Sequence, residues 1–79
     1  MFLSHEPRML KHKFEGSSLI KEVEFDAVTE QMDVVFNNNM AYRYHAIPKT
    51  EYQALVESAS AGKYFSENIR NRYSYTKLS

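Results

Sequence analysis

The sequence predicts an α+β domain, a three-stranded antiparallel meander followed by two short helices packed on one face. Three observations carry that expectation. Apolar and polar residues alternate with period two in three successive stretches between residues 18 and 45. The period then lengthens at Pro48 to the i, i+3, i+4 spacing of an amphipathic helix. Finally, 79 residues without cysteine leave room for one core and no disulfide to staple it.

Residues 1–16 show no clean period. Met9, Leu10 and Phe14 could share one helical turn, but Pro7 and Gly16 bracket the stretch with helix breakers. The expectation is a loosely ordered N-terminal arm, with Leu10 or Phe14 docked on the core, followed by a single domain over residues 17–79. The first strand covers residues 18–25. Leu19, Val23 and Phe25 share a side with Lys21, and Ile20 shares the other with Glu22 and Glu24. After a turn at residues 26–30, Met32, Val34 and Phe36 alternate with Gln31, Asp33 and Val35. Asn37-Asn38-Asn39 forms the next turn, because asparagine tolerates left-handed backbone better than other residues with a Cβ. In the third strand Met40, Tyr42 and Tyr44 lie on one face, and Ala41, Arg43 and His45 on the other.

The length of the Asn turn decides where the tyrosines point. A two-residue loop puts Arg43 and His45 on the face of Phe36. A three-residue loop, with Asn39 left-handed, puts Met40, Tyr42 and Tyr44 there instead. Burying Arg43 without a partner is costly, so the three-residue loop is expected. The tyrosines are then core residues with their hydroxyls at the rim. The competing reading makes their rings a stacking platform for single-stranded RNA.

Pro48 suits the first turn of a helix, where its missing N–H removes no bond. Thr50 and Gln53 also match a capping box. Tyr52, Leu55, Val56 and Ala59 form its apolar stripe. Gly62 is expected to break the chain between helices with a positive φ. Phe65, Ile69 and Tyr73, four apart, mark the second helix. Lys63 with Glu67 and Glu67 with Arg70 then have the spacing of ion pairs worth about 0.2–0.5 kcal/mol each.

Charge and composition exclude several functions. The net charge is zero, with Lys+Arg 10 against Asp+Glu 10. It is polarised, since residues 17–39 hold Lys21 alone against Glu22, Glu24, Asp26, Glu30 and Asp33. Residues 40–79 carry the basic excess, without a run of like charge that would mark a nucleic-acid tail. No stretch reaches the roughly 20 apolar residues of a membrane span. His5, His12 and His45 lack ligand spacing, so no metal is expected. With only Gly16 and Gly62 there is no phosphate-cradling loop. Glu22, Glu24 and Asp26 read as a solvated strand face. Neither an enzyme nor a cofactor is expected. The one constellation with chemistry in it is Lys63, Arg70 and Arg72 with Tyr73, Tyr75 and Arg43, since arginine beside aromatics suits phosphate contact and base stacking. The structural alternative places Arg70 and Arg72 late in a helix, where they complement its dipole.

Ser17-Ser18, the central Tyr42-Arg43-Tyr44, Ile47-Pro48, Gly62-Lys63-Tyr64-Phe65 and Ile69-Arg70-Asn71-Arg72-Tyr73 occur in the order that resembles the KTSC domain. That family is named for the C-terminus of some lysyl-tRNA synthetases and also occurs as small stand-alone bacterial and phage proteins. The resemblance spans residues 17–73. It departs at Asn39, where the family commonly has glycine, and at Ser66, where it often has asparagine. The lack of cysteine fits a cytoplasmic location, and the resemblance implies a small domain whose family has no established activity and for which RNA binding has been proposed. By that analogy Tyr42, Tyr44, Lys63, Arg70, Arg72 and Tyr73 are candidate nucleic-acid contacts, and the basic group adds Arg43 to them. The expected function is a non-enzymatic binding module with RNA as partner. The alternative is a protein-interaction domain without a nucleic-acid role.

Overall fold

A computed structural model describes residues 7–79. Their element order is β1 (Met9–Lys13), β2 (Ile20–Asp26), β3 (Gln31–Phe36), β4 (Ala41–Tyr44), α1 (Lys49–Glu57), α2 (Ala61–Asn68) and β5 (Tyr75–Lys77). The five strands form one antiparallel sheet in the order β1-β2-β3-β4-β5. The α+β class and the two helices are as expected, but the sheet has five strands where the sequence reading has three.

Both additional strands are edges. β1 lies inside the segment expected to be a loose arm, and its Leu10 pairs with Phe25 and His12 with Val23. Leu10, His12 and Phe14 therefore point to the core side, and Leu10 and Phe14 pack against the core. A histidine in the middle of that alternation hides the period-two signal. The arm is fastened further by Arg8, whose guanidinium meets the Asp26 carboxylate at 3.1 Å. Asp26 also accepts from the Val28 and Thr29 amides, closing the β2–β3 turn. The Arg8 hydrogen bond, aided by those amides, holds the Asp26 carboxyl well below the usual carboxylate range. The remainder of the arm, residues 1–6, lies outside the described residues.

β2 differs from strict alternation at one point. Ile20 pairs with Phe36, and Glu22 with Val35, so Lys21 is an extra residue in a bulge. The bulge turns Ile20 onto the core face with Val23 and Phe25, and all three are fully buried. The sequence reading places Ile20 with the acidic face instead.

The β3–β4 hairpin has the three-residue loop. Phe36 N–H donates to Met40 O at 2.9 Å, Asn39 N–H donates to Phe36 O at 2.8 Å, and Asn39 has φ +68°. Val34 consequently faces Tyr42 and Met32 faces Tyr44, while Asp33 faces Arg43 on the opposite side of the sheet.

The helices cover the face that carries these apolar side chains. α1 starts at Pro48 without a side-chain cap, so the Thr50–Gln53 capping box is not used. It buries Tyr52 and Leu55, and the Tyr52 ring stacks on Phe25 with centroids 5.1 Å apart. It ends at Glu57, leaving Ala59 exposed. α2 is capped by Ser60, whose hydroxyl accepts from the Lys63 amide. Gly62 lies within α2 and does not break the chain as expected. Its role is close approach, because a Cβ there would sit 3.1 Å from the Cβ of Leu19. α2 ends before Ile69, where the amides of Ile69 and Arg70 both donate to Phe65 O. Arg70, Arg72 and Tyr73 therefore follow the helix and do not lie along it. No helix among the described residues is long and apolar enough to cross a membrane.

Candidate nucleic-acid interface

α2 covers Phe36 and Tyr44 through Phe65 but leaves β5 and the edge beside it uncovered, and aromatic side chains collect there. Alternation along β4 puts Tyr42 and Tyr44 on the helix side. β5 adds Tyr75 opposite Tyr44 and Lys77 opposite Tyr42. Tyr75 packs against both β4 tyrosines, at 5.2 Å from Tyr42 and 5.4 Å from Tyr44. Phe36 meets Tyr42 edge-on at 5.6 Å, and Phe65 of α2 packs edge-on against Phe36 and Tyr44 at 5.4 and 5.3 Å. These tilted and edge-on arrangements are those favoured by the ring quadrupoles.

Above this layer lies a groove of about 540 Å³. Phe36, Tyr42, Tyr44 and Tyr75 line it from the sheet, Ser18 and Leu19 from the approach to β2, and Asn37, Asn38 and Met40 from the hairpin turn. The segment after α2 contributes Arg70 and Asn71. Tyr44 is 3% exposed and Tyr75 is 53% exposed, so the layer grades from core into accessible ring. Burial raises the Tyr44 hydroxyl pKa, and the Arg70 charge opposes that rise. Arg70 has an exposed side chain and forms no ion pair among the described residues. Tyr44 is therefore a core residue, as the three-residue loop predicts, while Tyr42 is partly buried and Tyr75 lies at the accessible rim.

The structure brings together Tyr42, Tyr44 and Arg70 of the residues singled out from sequence, with Tyr75 beside them. It separates Arg43, which lies on the far face of the sheet. There Arg43 makes a two-pronged contact to Asp33, Nε to Oδ1 at 2.8 Å and a second guanidinium N–H to Oδ2 at 3.0 Å. Lys63 is exposed in the first turn of α2 and outside the groove lining. The expected ion pairs of Glu67 with Lys63 and with Arg70 are not formed among the described residues. Arg72 and Tyr73 belong to a second cluster, in which Glu51 of α1 accepts from the Tyr64 hydroxyl at 2.6 Å and the Tyr73 hydroxyl at 3.4 Å. Phe36, Asn37, Asn38 and Asn71 are groove residues that the sequence reading does not select. Their signal is weak because a turn explains the asparagines and a core position explains Phe36.

The Glu51 cluster ties α1 to α2 and to the chain beyond it. The hydrogen bond to Glu51, with some burial, pushes the Tyr64 pKa up to about 12. The unfolded chain has its tyrosines near 10. Tyr64 therefore contributes stability that is fully present below about pH 10 and is lost as pH rises through about 12. Urea midpoints of the wild type and Tyr64→Phe, compared at pH 8 and across the alkaline range, should show the wild type losing its advantage above about pH 10. Parallel curves would contradict this role for Tyr64.

Comparisons with known proteins agree with this architecture. A KTSC domain protein from Yersinia pestis, solved by crystallography, superposes with a TM-score of 0.82 at 21% identity. That match covers 90% of this chain and 99% of the other, and it establishes likeness of fold. A lysine–tRNA ligase from Trichormus variabilis is 33% identical over 67 residues, which is 85% of this chain but 12% of the ligase. The chain thus spans about an eighth of that relative's length. An uncharacterized protein from Stutzerimonas stutzeri is 30% identical over 63 residues, covering 78% of this chain and 89% of its own length. With the KTSC domain profile matching residues 16–73, the chain belongs to the KTSC domain family.

Proposed function

We propose that this chain is a non-enzymatic binding module that takes single-stranded RNA in the groove over Tyr42, Tyr44 and Tyr75. The observation that carries the reading is the accessible aromatic layer with the unpaired Arg70 at its side. Base–aromatic stacking tolerates any sequence, and an arginine beside it supplies phosphate contact. Among the described residues no carboxylate or histidine lines the groove, which favours an anionic ligand. Its likeness to part of a tRNA ligase is consistent with an RNA partner and supports the same choice.

Titration of labelled protein with short single-stranded RNAs, followed by two-dimensional NMR, tests this reading. Shifts should localise to Tyr42, Tyr44, Arg70 and Tyr75. Affinity should fall with salt by roughly 0.7 log units per log unit of salt for each phosphate engaged. Arg70→Gln should weaken binding and lower that slope, and Arg43→Gln should leave both unchanged. Silence at low salt, where phosphate contacts are strongest, would overturn the proposal. So would shifts confined to the Asp33–Arg43 face.

A further inference from the structure

We infer that the groove is a single-base pocket: one unpaired nucleobase stacks on the accessible Tyr75 ring beside Tyr42, its edge meets the amides of Asn37, Asn38 and Asn71, and its phosphate meets Arg70. This assignment rests on the RNA-binding reading of the groove and specifies what that groove reads.

Size and shape point to a base and not a duplex. A volume of about 540 Å³ lies within the ~300–1,000 Å³ of small-molecule sites. The groove is lined from three sides by the β2 approach, the hairpin turn and the segment after α2. Paired bases keep their faces stacked inside the helix, so only an unpaired or extruded base can offer a face to Tyr75. The Tyr75 ring is tilted 48° from Tyr42 and 37° from Tyr44. It is not consumed by parallel stacking within the protein, which agrees with its exposure.

The amides supply the second half of the recognition. Asn37 uses its NH2 to donate to Ser17 O at 2.8 Å, which orients the side chain and leaves its carbonyl oxygen as an acceptor. Asn38 uses its carbonyl oxygen to accept from the Met40 amide at 3.0 Å, leaving its NH2 as donor. The turn therefore holds an acceptor and a donor side by side, each fixed by its other end. Base edges present the complementary pairing of donor beside acceptor. Asn71, with no hydrogen bond among the described residues, adds a third amide across the groove. The polar lining is thus neutral amide and hydroxyl, with one cation. With one cation, the groove engages one base and one phosphate of the strand, and the rest of the strand runs outside it.

The test uses the four ribonucleoside 5′-monophosphates, the matching nucleosides and ribose 5-phosphate, titrated into the intact chain and followed by NMR. Nucleotides should shift Tyr75, Arg70 and Asn71 together, and ribose 5-phosphate should not. Tyr75→Ala should weaken nucleotide binding about 5- to 150-fold, the range of one lost stacking partner, and Tyr75→Phe should restore it. Tyr75 is exposed on an edge strand, so thermal melting of Tyr75→Ala serves as a check that the fold is kept. Asn71→Ala should narrow the spread of affinities among the four bases. Arg70→Gln should erase the preference for nucleotide over nucleoside. A blunt-ended, fully paired RNA duplex should not compete. If single-stranded RNA binds but nucleotides do not, or if RNA binds Tyr75→Ala undiminished, the base pocket is wrong while the RNA reading survives. Nucleotide binding without RNA binding would leave the pocket standing and remove the RNA reading.

Discussion

Phe65→Ala should destabilise this domain by about 3–5 kcal/mol, the range for an aromatic side chain deleted from a well-packed core. Phe65 is 1% exposed and lies where α2 meets the sheet, edge-on to both Phe36 and Tyr44. A domain of this length has roughly 4–12 kcal/mol of total stability. The loss is therefore a large fraction of the whole, and Tm should fall by more than about 12 °C. The proposed RNA binding should weaken with it, because Phe36 and Tyr44 line the groove and lose their support together. Phe65→Leu keeps most of the volume and should cost far less. Thermal melts of the two variants, with the RNA titration on whichever stays folded, give the result. An alanine variant within a few degrees of wild type would show that Phe65 is not the keystone described here.

Much of this arrangement was open to reading from the chain because it depends on alternation. Met32, Val34 and Phe36 and then Met40, Tyr42 and Tyr44 each declare a face. The cost of burying Arg43 selects the loop that joins them, and the structure carries that loop. The same alternation already separates Arg43 from the tyrosines, although adjacency in sequence suggests grouping them. What alternation cannot reveal is a break in it. Lys21 as an extra residue flips Ile20 into the core, and only pairing with β3 makes the bulge necessary. β1 is masked by His12 on its inward face. β5 has three residues, all exposed, and exists because β4 offers an unpaired edge. Tyr73 continues the spacing of Phe65 and Ile69 but leaves the helix and reaches Glu51 instead. The groove depends on β5 and on the chain after α2, and so its composition was only half visible, with Tyr42, Tyr44 and Arg70 apparent and the asparagines not.

Asn39→Val should cost about 1–3 kcal/mol, because a β-branched residue is forced to φ +68°. Asn39→Gly should be neutral or slightly stabilising, since glycine takes that backbone freely but gives up some order in the unfolded comparison. The weak contact from Lys21 Nζ to Asn39 Oδ1, at 3.5 Å and exposed, adds little to either case. The valine strain has one obvious escape, a slip to a two-residue loop that pairs Asn37 with Met40. That slip would carry Tyr42 and Tyr44 off the helix side, part Arg43 from Asp33 and push a guanidinium against Phe36. Burying an unpaired charge costs more than the strain it would relieve. The valine variant should therefore keep its register and lose stability. Cross-strand NOEs between Val34 and Tyr42 should persist, Tm should drop by about 4–8 °C per kcal/mol, and the groove should keep its lining. Loss of those NOEs would mean the hairpin turn, and not the buried face, sets the register, and with it which side of the sheet the tyrosines present.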